Sequence, residues 1–186
     1  MAWVSAFRLR RAAQHLRRGG LLAYPTEAVY GLGCNPLDGG AVLRLLRLKR
    51  RSVSKGLILL AAEFSQIEPF LLLDSAELRE TLLERWPGPV TWVVPAQDWV
   101  PRWLCRPDGT LAVRVTAHGP AAALCRAFGG PVVSTSANPG KVPPARSAVK
   151  VARYFRGAEL AVFQAALGGQ AKPTDIFDAR TLRKLR

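Results

Sequence analysis

Acidic residues are scarce in this chain: 13 Asp and Glu stand against 27 Lys and Arg, leaving a net charge of +14. A surface so short of negative charge carries a positive potential that draws in nucleotides, free polyphosphate and RNA alike without choosing among them. Cysteine is also sparse. Cys34, Cys105 and Cys125 are far apart, odd in number and without CxxC spacing, which argues against a disulfide framework and for buried thiols in a reducing compartment. The two histidines, His15 and His118, have no other ligand at metal spacing, so no protein metal site is expected. No stretch approaches the roughly 18 uninterrupted apolar residues that a membrane span requires, and the chain reads as soluble with no membrane partner. A Walker A sequence is absent, and Gly31-Leu32-Gly33 runs into Cys34-Asn35-Pro36, failing the dinucleotide fingerprint at its third glycine. A phosphate site has to be built in another way.

What is present is a chain of 186 residues, 49% hydrophobic, long enough for one well-buried core, and a single domain over residues 1–186 is expected. The first 26 residues hold five arginines and no acid, a transit-peptide composition. Yet Ala6, Leu9, Ala13 and Leu16 form one apolar helical stripe with Arg8, Arg11, His15 and Arg18 opposite, and Gly19-Gly20 stops it. This is better read as the first helix of the domain, leading straight into a strand at Leu21, and the protein is placed in the cytoplasm. Strand-like and helical segments then alternate, which predicts a mixed α/β domain. Strands are predicted over Leu21–Tyr24, Leu57–Ala61, Val90–Val94, Leu111–Val115, Pro131–Val133 and Leu160–Phe163, with a short one at Ile176-Phe177. Helices are predicted from Asp38 to Arg50, from an Asp74/Glu77 capping box through Trp86, over Pro120–Phe128, and from Ser147 to Phe155.

Three polar constellations interrupt this pattern. Lys49-Arg50-Arg51, with Lys55 just beyond, leaves a helix end, where it is either a solvated face complementing the helix dipole or a cradle for a polyphosphate. Ser134, Ser136 and Asn138 follow a buried strand, as an ordinary hydrogen-bonded turn or as donors to phosphate or carboxylate oxygens. Pro25 to Gly33 is a polar insertion after a strand, in which Thr26 suits either a small polar ligand or a cap. Thr110 and Arg114 share one face of an extended segment. Arg114, a cation among Ala112, Val113 and Val115, demands an anion, whether a bound one or a structural ion pair.

Together these segments resemble the YrdC/TsaC family of threonylcarbamoyl-AMP synthases over almost the whole chain. They occur in family order: Tyr24 to Gly33, the Lys-x-Arg of Lys49 and Arg51, Lys55-Gly56-Leu57-Ile58-Leu59, Arg85-Trp86-Pro87-Gly88-Pro89-Val90-Thr91, Leu111 to Val115, and the Ser-x-Asn of Ser136 and Asn138. The resemblance is to the short bacterial single-domain form. It departs at Leu60, where longer relatives carry a histidine, and at Gly140-Lys141, which replaces a Ser-Gly.

The resemblance implies a twisted mixed sheet with flanking helices around a large basic cavity. It also implies conversion of L-threonine, bicarbonate and ATP to threonylcarbamoyl-adenylate and pyrophosphate, for a tRNA modification. Lys49 and Arg51 are then the catalytic cations. Lys49, Arg51, Lys55, Thr110, Ser136, Asn138 and Arg186 form the ATP site, and Thr26, Arg114, Ser134 and Thr174 bind threonine. Mg²⁺ is expected with the triphosphate, tRNA contact is possible, and threonylcarbamoyl-transferase proteins are expected downstream. The competing readings are a tRNA or double-stranded RNA module without catalysis, and carbamoyl transfer in metalloenzyme maturation.

Overall fold

The computed structural model describes residues 5–140 and 142–186. Helix α1 (Ala6–Arg17) ends before Gly19, whose φ of 79° turns the chain into strand β1 (Leu21–Pro25). Its buried residues are Ala12, Ala13 and Leu16, whereas Ala6 is exposed, so the apolar stripe is narrower at its start than the pattern predicts. The stretch expected as a polar insertion is instead a hairpin. Strand β2 (Tyr30–Gly33) pairs antiparallel with β1, and its two glycines hide the alternation that marks a strand.

Helix α2 (Gly39–Lys49) starts where Asp38 accepts a hydrogen bond from Ala41 N at 2.9 Å and ends at Arg50, in the left-handed region with φ 51°. Strand β3 (Ile58–Ala61), the short helix α3 (Phe64–Ile67) and helix α4 (Ala76–Leu83) follow. The cap of α4 is Ser75, which accepts from Leu78 N, and not Asp74, whose carboxylate is turned outward to Arg180. The helix also stops at Leu83, short of Trp86, which is nonetheless buried.

Strands β4 (Val90–Pro95) and β5 (Thr110–Val115) precede helix α5 (Gly119–Phe128), and strand β6 (Val132–Ser136) precedes helix α6 (Ala148–Tyr154). Ser134 to Ser136, expected in a loop, belong to β6. Pairing on both sides, Ser136 with Gly31 and Ser134 with Ile58, satisfies their backbone and outweighs the weak strand preference of serine. Strands β7 (Leu160–Val162) and β8 (Asp175–Asp178) complete the fold. Cys34, Cys105 and Cys125 are free, and Cys105 is only half-buried. Lys141 lies outside the described residues.

Eight strands form one mixed sheet in the order β7-β1-β2-β6-β3-β5-β4-β8. The β1–β7, β3–β5 and β4–β8 pairs are parallel, and the others are antiparallel. Strand alternation sends Ala23, Leu59, Val113 and Val133 into the larger core, closed by Leu45 of α2, Leu82 of α4 and Val151 of α6. Leu22, Tyr24, Leu60 and Val132 point the other way, under Leu16 of α1 and Leu124 of α5. Those two helices cover only part of their face. Farther along, Ile58, Ala112, Arg114, Ser134 and Ser136 share the same orientation, and there the sheet is open to a cavity that no residue of α1 to α6 lines.

Of the two glycines of β2, Gly33 is required by packing and Gly31 lines the cavity. A Cβ on Gly33 would lie 2.3 Å from Val133 O and 2.7 Å from the Tyr24 ring, while one on Gly31 would meet nothing nearer than 3.4 Å. Gly33→Ala is therefore expected to destabilise the fold by roughly 1–3 kcal/mol through overpacking, and Gly31→Ala by clearly less. Denaturant unfolding of the two variants checks the order.

Candidate functional site

The cavity on the open half of the sheet gathers side chains from distant parts of the chain. Thr26, Arg51 and Lys55 reach it from the first third, and Arg114, Ser134 and Ser136 from β5 and β6. Thr174 and Arg186 close it from beyond β7. The enclosed volume is about 190 Å³, at the small end for a ligand site, and does not establish the large cavity implied by the resemblance. Three further site residues expected from the sequence stand outside the lining: Lys49, Asn138 and Thr110. Thr110 gives its hydroxyl to Asp108.

Arg114 meets its anion inside the protein. Its Nη2 lies 3.3 Å from Glu27 Oε2, with the two side chains 5% and 7% exposed, and its Nη1 donates to the Thr174 hydroxyl. Thr116 donates a 2.6 Å hydrogen bond to Glu27 Oε1. The ion pair foreseen as one alternative for Arg114 thus exists, while its Nε, also buried, has no hydrogen-bond partner among the described residues. Glu27 carries a signal in the sequence: it is the only acid in the first 37 residues, directly after Thr26. The Thr26 hydroxyl donates to Val29 O at 2.8 Å, closing the β1–β2 turn, so it is not a helix cap.

Lys49 lies behind the cavity wall. Its Nζ donates to Ser136 O, to Asn138 O at 3.0 Å and to Asn138 Oδ1 at 3.2 Å, tying the end of α2 to the loop after β6. Ser136 Oγ donates to the same Asn138 Oδ1 at 2.6 Å. The Lys-x-Arg and Ser-x-Asn segments therefore meet, one cation holding the loop and the other, Arg51, lining the cavity.

The cations are arranged in series. Burial, then Arg51, draws the Lys49 ammonium down to about 8; burial, then Arg186, lowers Arg51; burial, then Arg114, lowers Arg186. Each like charge opposes the next; Glu27 beside Arg114 and Asp175 near Arg186 offset part of this, and a bound polyanion would offset more.

Comparison with known proteins agrees with this geometry. The model of the Sua5/YciO/YrdC domain, described as "Telomere recombination", matches residues 14–186. The chain belongs to the Sua5/YciO/YrdC family. It is 50% identical to the threonylcarbamoyl-AMP synthase of Methylococcus capsulatus over the full length of both chains. With the threonylcarbamoyl-AMP synthase of Halorhodospira halophila it shares 54% identity, over 97% of this chain and 94% of the relative. Among solved structures, P. abyssi Sua5 complexed with L-threonine superposes with a TM-score of 0.85 at 35% identity over 95% of this chain. The chain spans about half of that Sua5, 52% of its length. The expected mixed α/β fold is therefore the family's, with Leu60, the position of the departure, fully buried beneath α5.

Two outcomes follow for stability. Arg114→Met would strand Glu27 as an uncompensated buried charge, at an expected cost of about 3–5 kcal/mol in denaturant unfolding. Unfolded Lys49 titrates at its ordinary 10.5 and folded Lys49 at about 8. Below about 8 both states are charged and the folded state bears the whole cost of burial. Between the two values the unfolded state binds more protons, so stability rises with pH. The wild-type denaturation midpoint, measured at about pH 7.5 and about pH 10, should rise relative to that of Lys49→Met; an unchanged difference between the two proteins refutes this.

Proposed function

We infer that this chain is a threonylcarbamoyl-AMP synthase, converting L-threonine, bicarbonate and ATP to threonylcarbamoyl-adenylate and pyrophosphate. The observation that carries this reading is the 50% identity to a protein of that name across the whole of both chains. The cavity suits the chemistry. The threonine amine bonds to the carbon of bicarbonate as a C–O bond breaks and water leaves, and the resulting carbamate oxygen attacks the α-phosphorus of ATP while the bond to pyrophosphate breaks. Two anions have to approach, and fixed cations in a site that excludes water reduce their repulsion.

Arg51, Lys55 and Arg186 are assigned to the nucleotide phosphates, with Ser136 beside them, and Thr110 and Asn138 supporting from outside the lining. Thr26, Ser134 and Thr174 are assigned to threonine, whose carboxylate would be taken by Arg114. In this geometry Lys49 acts by positioning the Ser136–Asn138 loop. Mg²⁺ is read as part of the substrate: triphosphate and water would hold it, since no Asp or Glu side chain lines the cavity among the described residues.

A non-catalytic tRNA or double-stranded RNA module is not favoured, given relatives that carry a synthase name. Contact with tRNA, handover to threonylcarbamoyl-transferase proteins and a cytoplasmic location complete the proposal. They are supported by the +14 charge and by the reaction itself. Among the described residues no helix is long and apolar enough to cross a membrane.

Incubation with ATP, bicarbonate and L-threonine should release pyrophosphate only when threonine is present. Arg51→Ala removes charge-assisted hydrogen bonds and is expected to slow that release roughly tenfold to a hundredfold. Release without threonine contradicts the proposed substrate.

A further inference from the structure

The cavity has a cation to which neither the motifs nor the proposed chemistry gives a task. Arg106 opens the turn Arg106-Pro107-Asp108-Gly109, closed by Gly109 N donating to Arg106 O at 3.0 Å. Arg106 N donates to Thr110 O at 2.8 Å, which seats the turn at the start of β5. The Arg106 side chain packs against the Lys55-Gly56 loop. A Cβ on Gly56 would come within 2.9 Å of Arg106 Cγ, and Gly56 has a φ of 59°, so that position has room for no side chain but hydrogen. The contact sets Arg106 beside Lys55, with both lining the cavity that Arg51 also enters.

The electrostatic surroundings of Arg106 are incomplete. Its Nε is buried and has no hydrogen-bond partner among the described residues, the same condition as Arg51 Nε across the same cavity. That Nε lies 3.6 Å from Oδ2 of Asp108, a carboxylate 57% exposed whose other oxygen, Oδ1, accepts from the hydroxyl and amide of Thr110. Such a long, solvated pair contributes little. Three cations thus converge on one space, two of them arginines, and a guanidinium fork matches the oxygens of a phosphate.

We propose that Arg106 is a further phosphate-binding residue, gripping with Arg51 and Lys55 the end of the triphosphate that leaves as pyrophosphate. The assignment rests on the synthase reading above. It places Arg106 on the leaving group, where positive charge answers the charge that builds as the bond to the α-phosphorus breaks.

The test compares wild type with Arg106→Met in the pyrophosphate-release assay. KM is measured for ATP and for threonine, inhibition by added inorganic pyrophosphate is measured alongside, and melting curves show that each protein is folded. The expected result is about a tenfold rise in KM for ATP and in the inhibitory concentration of pyrophosphate, with KM for threonine unchanged. Arg106→Lys keeps the charge without the fork and should fall between. Should Arg106→Met fail to fold, Arg106→Gln keeps most of the stem over Gly56 and carries the same comparison. A variant matching wild type in ATP and pyrophosphate overturns the assignment and leaves the synthase reading intact. So does an equal rise in KM for threonine, which would mark Arg106 as a support for its turn. Wild-type ATP turnover that ignores threonine is a separate outcome, which removes the synthase reading and this assignment together.

Discussion

A guanidinium buried in a sheet has to be answered by negative charge, and much of the site is organised around that demand. Arg114 is answered by Glu27, which sits in the turn between β1 and β2, far away in sequence. The turn is in turn strapped by the segment after β7: Gly168 N donates to Thr26 O at 3.1 Å and Gln170 N to Glu27 O at 3.0 Å. The same segment carries Thr174 to the other end of Arg114. A buried pair of this kind adds little net stability, since desolvation offsets most of its attraction. What it does supply is position, because turn, strap and central strand are all referred to one pair of charges.

The second organising fact is geometric. Residues of one parity along β3, β5 and β6 face α1 and α5 at one end of the sheet and the cavity at the other. Leu60 and Val132 are core, while Ile58 and Ser134, two residues away along their strands, line the cavity. The chain therefore needs no separate scaffold for chemistry: the face that is hydrophobic under helices becomes polar where the helices stop. Cations collect there with Glu27, the one buried acid among the described residues, as counter-charge. A site left with such an excess is disposed toward an anionic ligand.

Much of this was legible in the sequence, and the gaps have identifiable causes. Helices with a strong cap, such as those beginning at Asp38 and Ser147, stand out because a single side chain accepts a hydrogen bond from an otherwise unpaired amide of the first turn. β2 is hidden in the sequence because Gly31 and Gly33 carry no side chain to reveal alternation; the reason for Gly33 is the close approach of Tyr24 and Val133, which only the folded pairing shows. The Ser134–Ser136 segment misled for the opposite reason, its composition favouring a loop while two neighbouring strands held it extended. At the site, residue type picked out Arg51, Lys55, Arg114 and Ser136. It could not disclose that Lys49 would turn to carbonyl oxygens, or that Arg106 would arrive over Gly56, because both depend on contacts between segments far apart in the chain.

The order of the strands bears on how such a protein comes into being. Both borders of the sheet, β7 and β8, are contributed by residues after 159, whereas the interior strands are all made earlier. A nascent chain can assemble its central strands and their helices well before Thr174 and Arg186 emerge. Competence to bind substrate thus waits for the segment that carries Thr174 and Arg186, and a product truncated before it would keep much of its core while lacking one wall of the site.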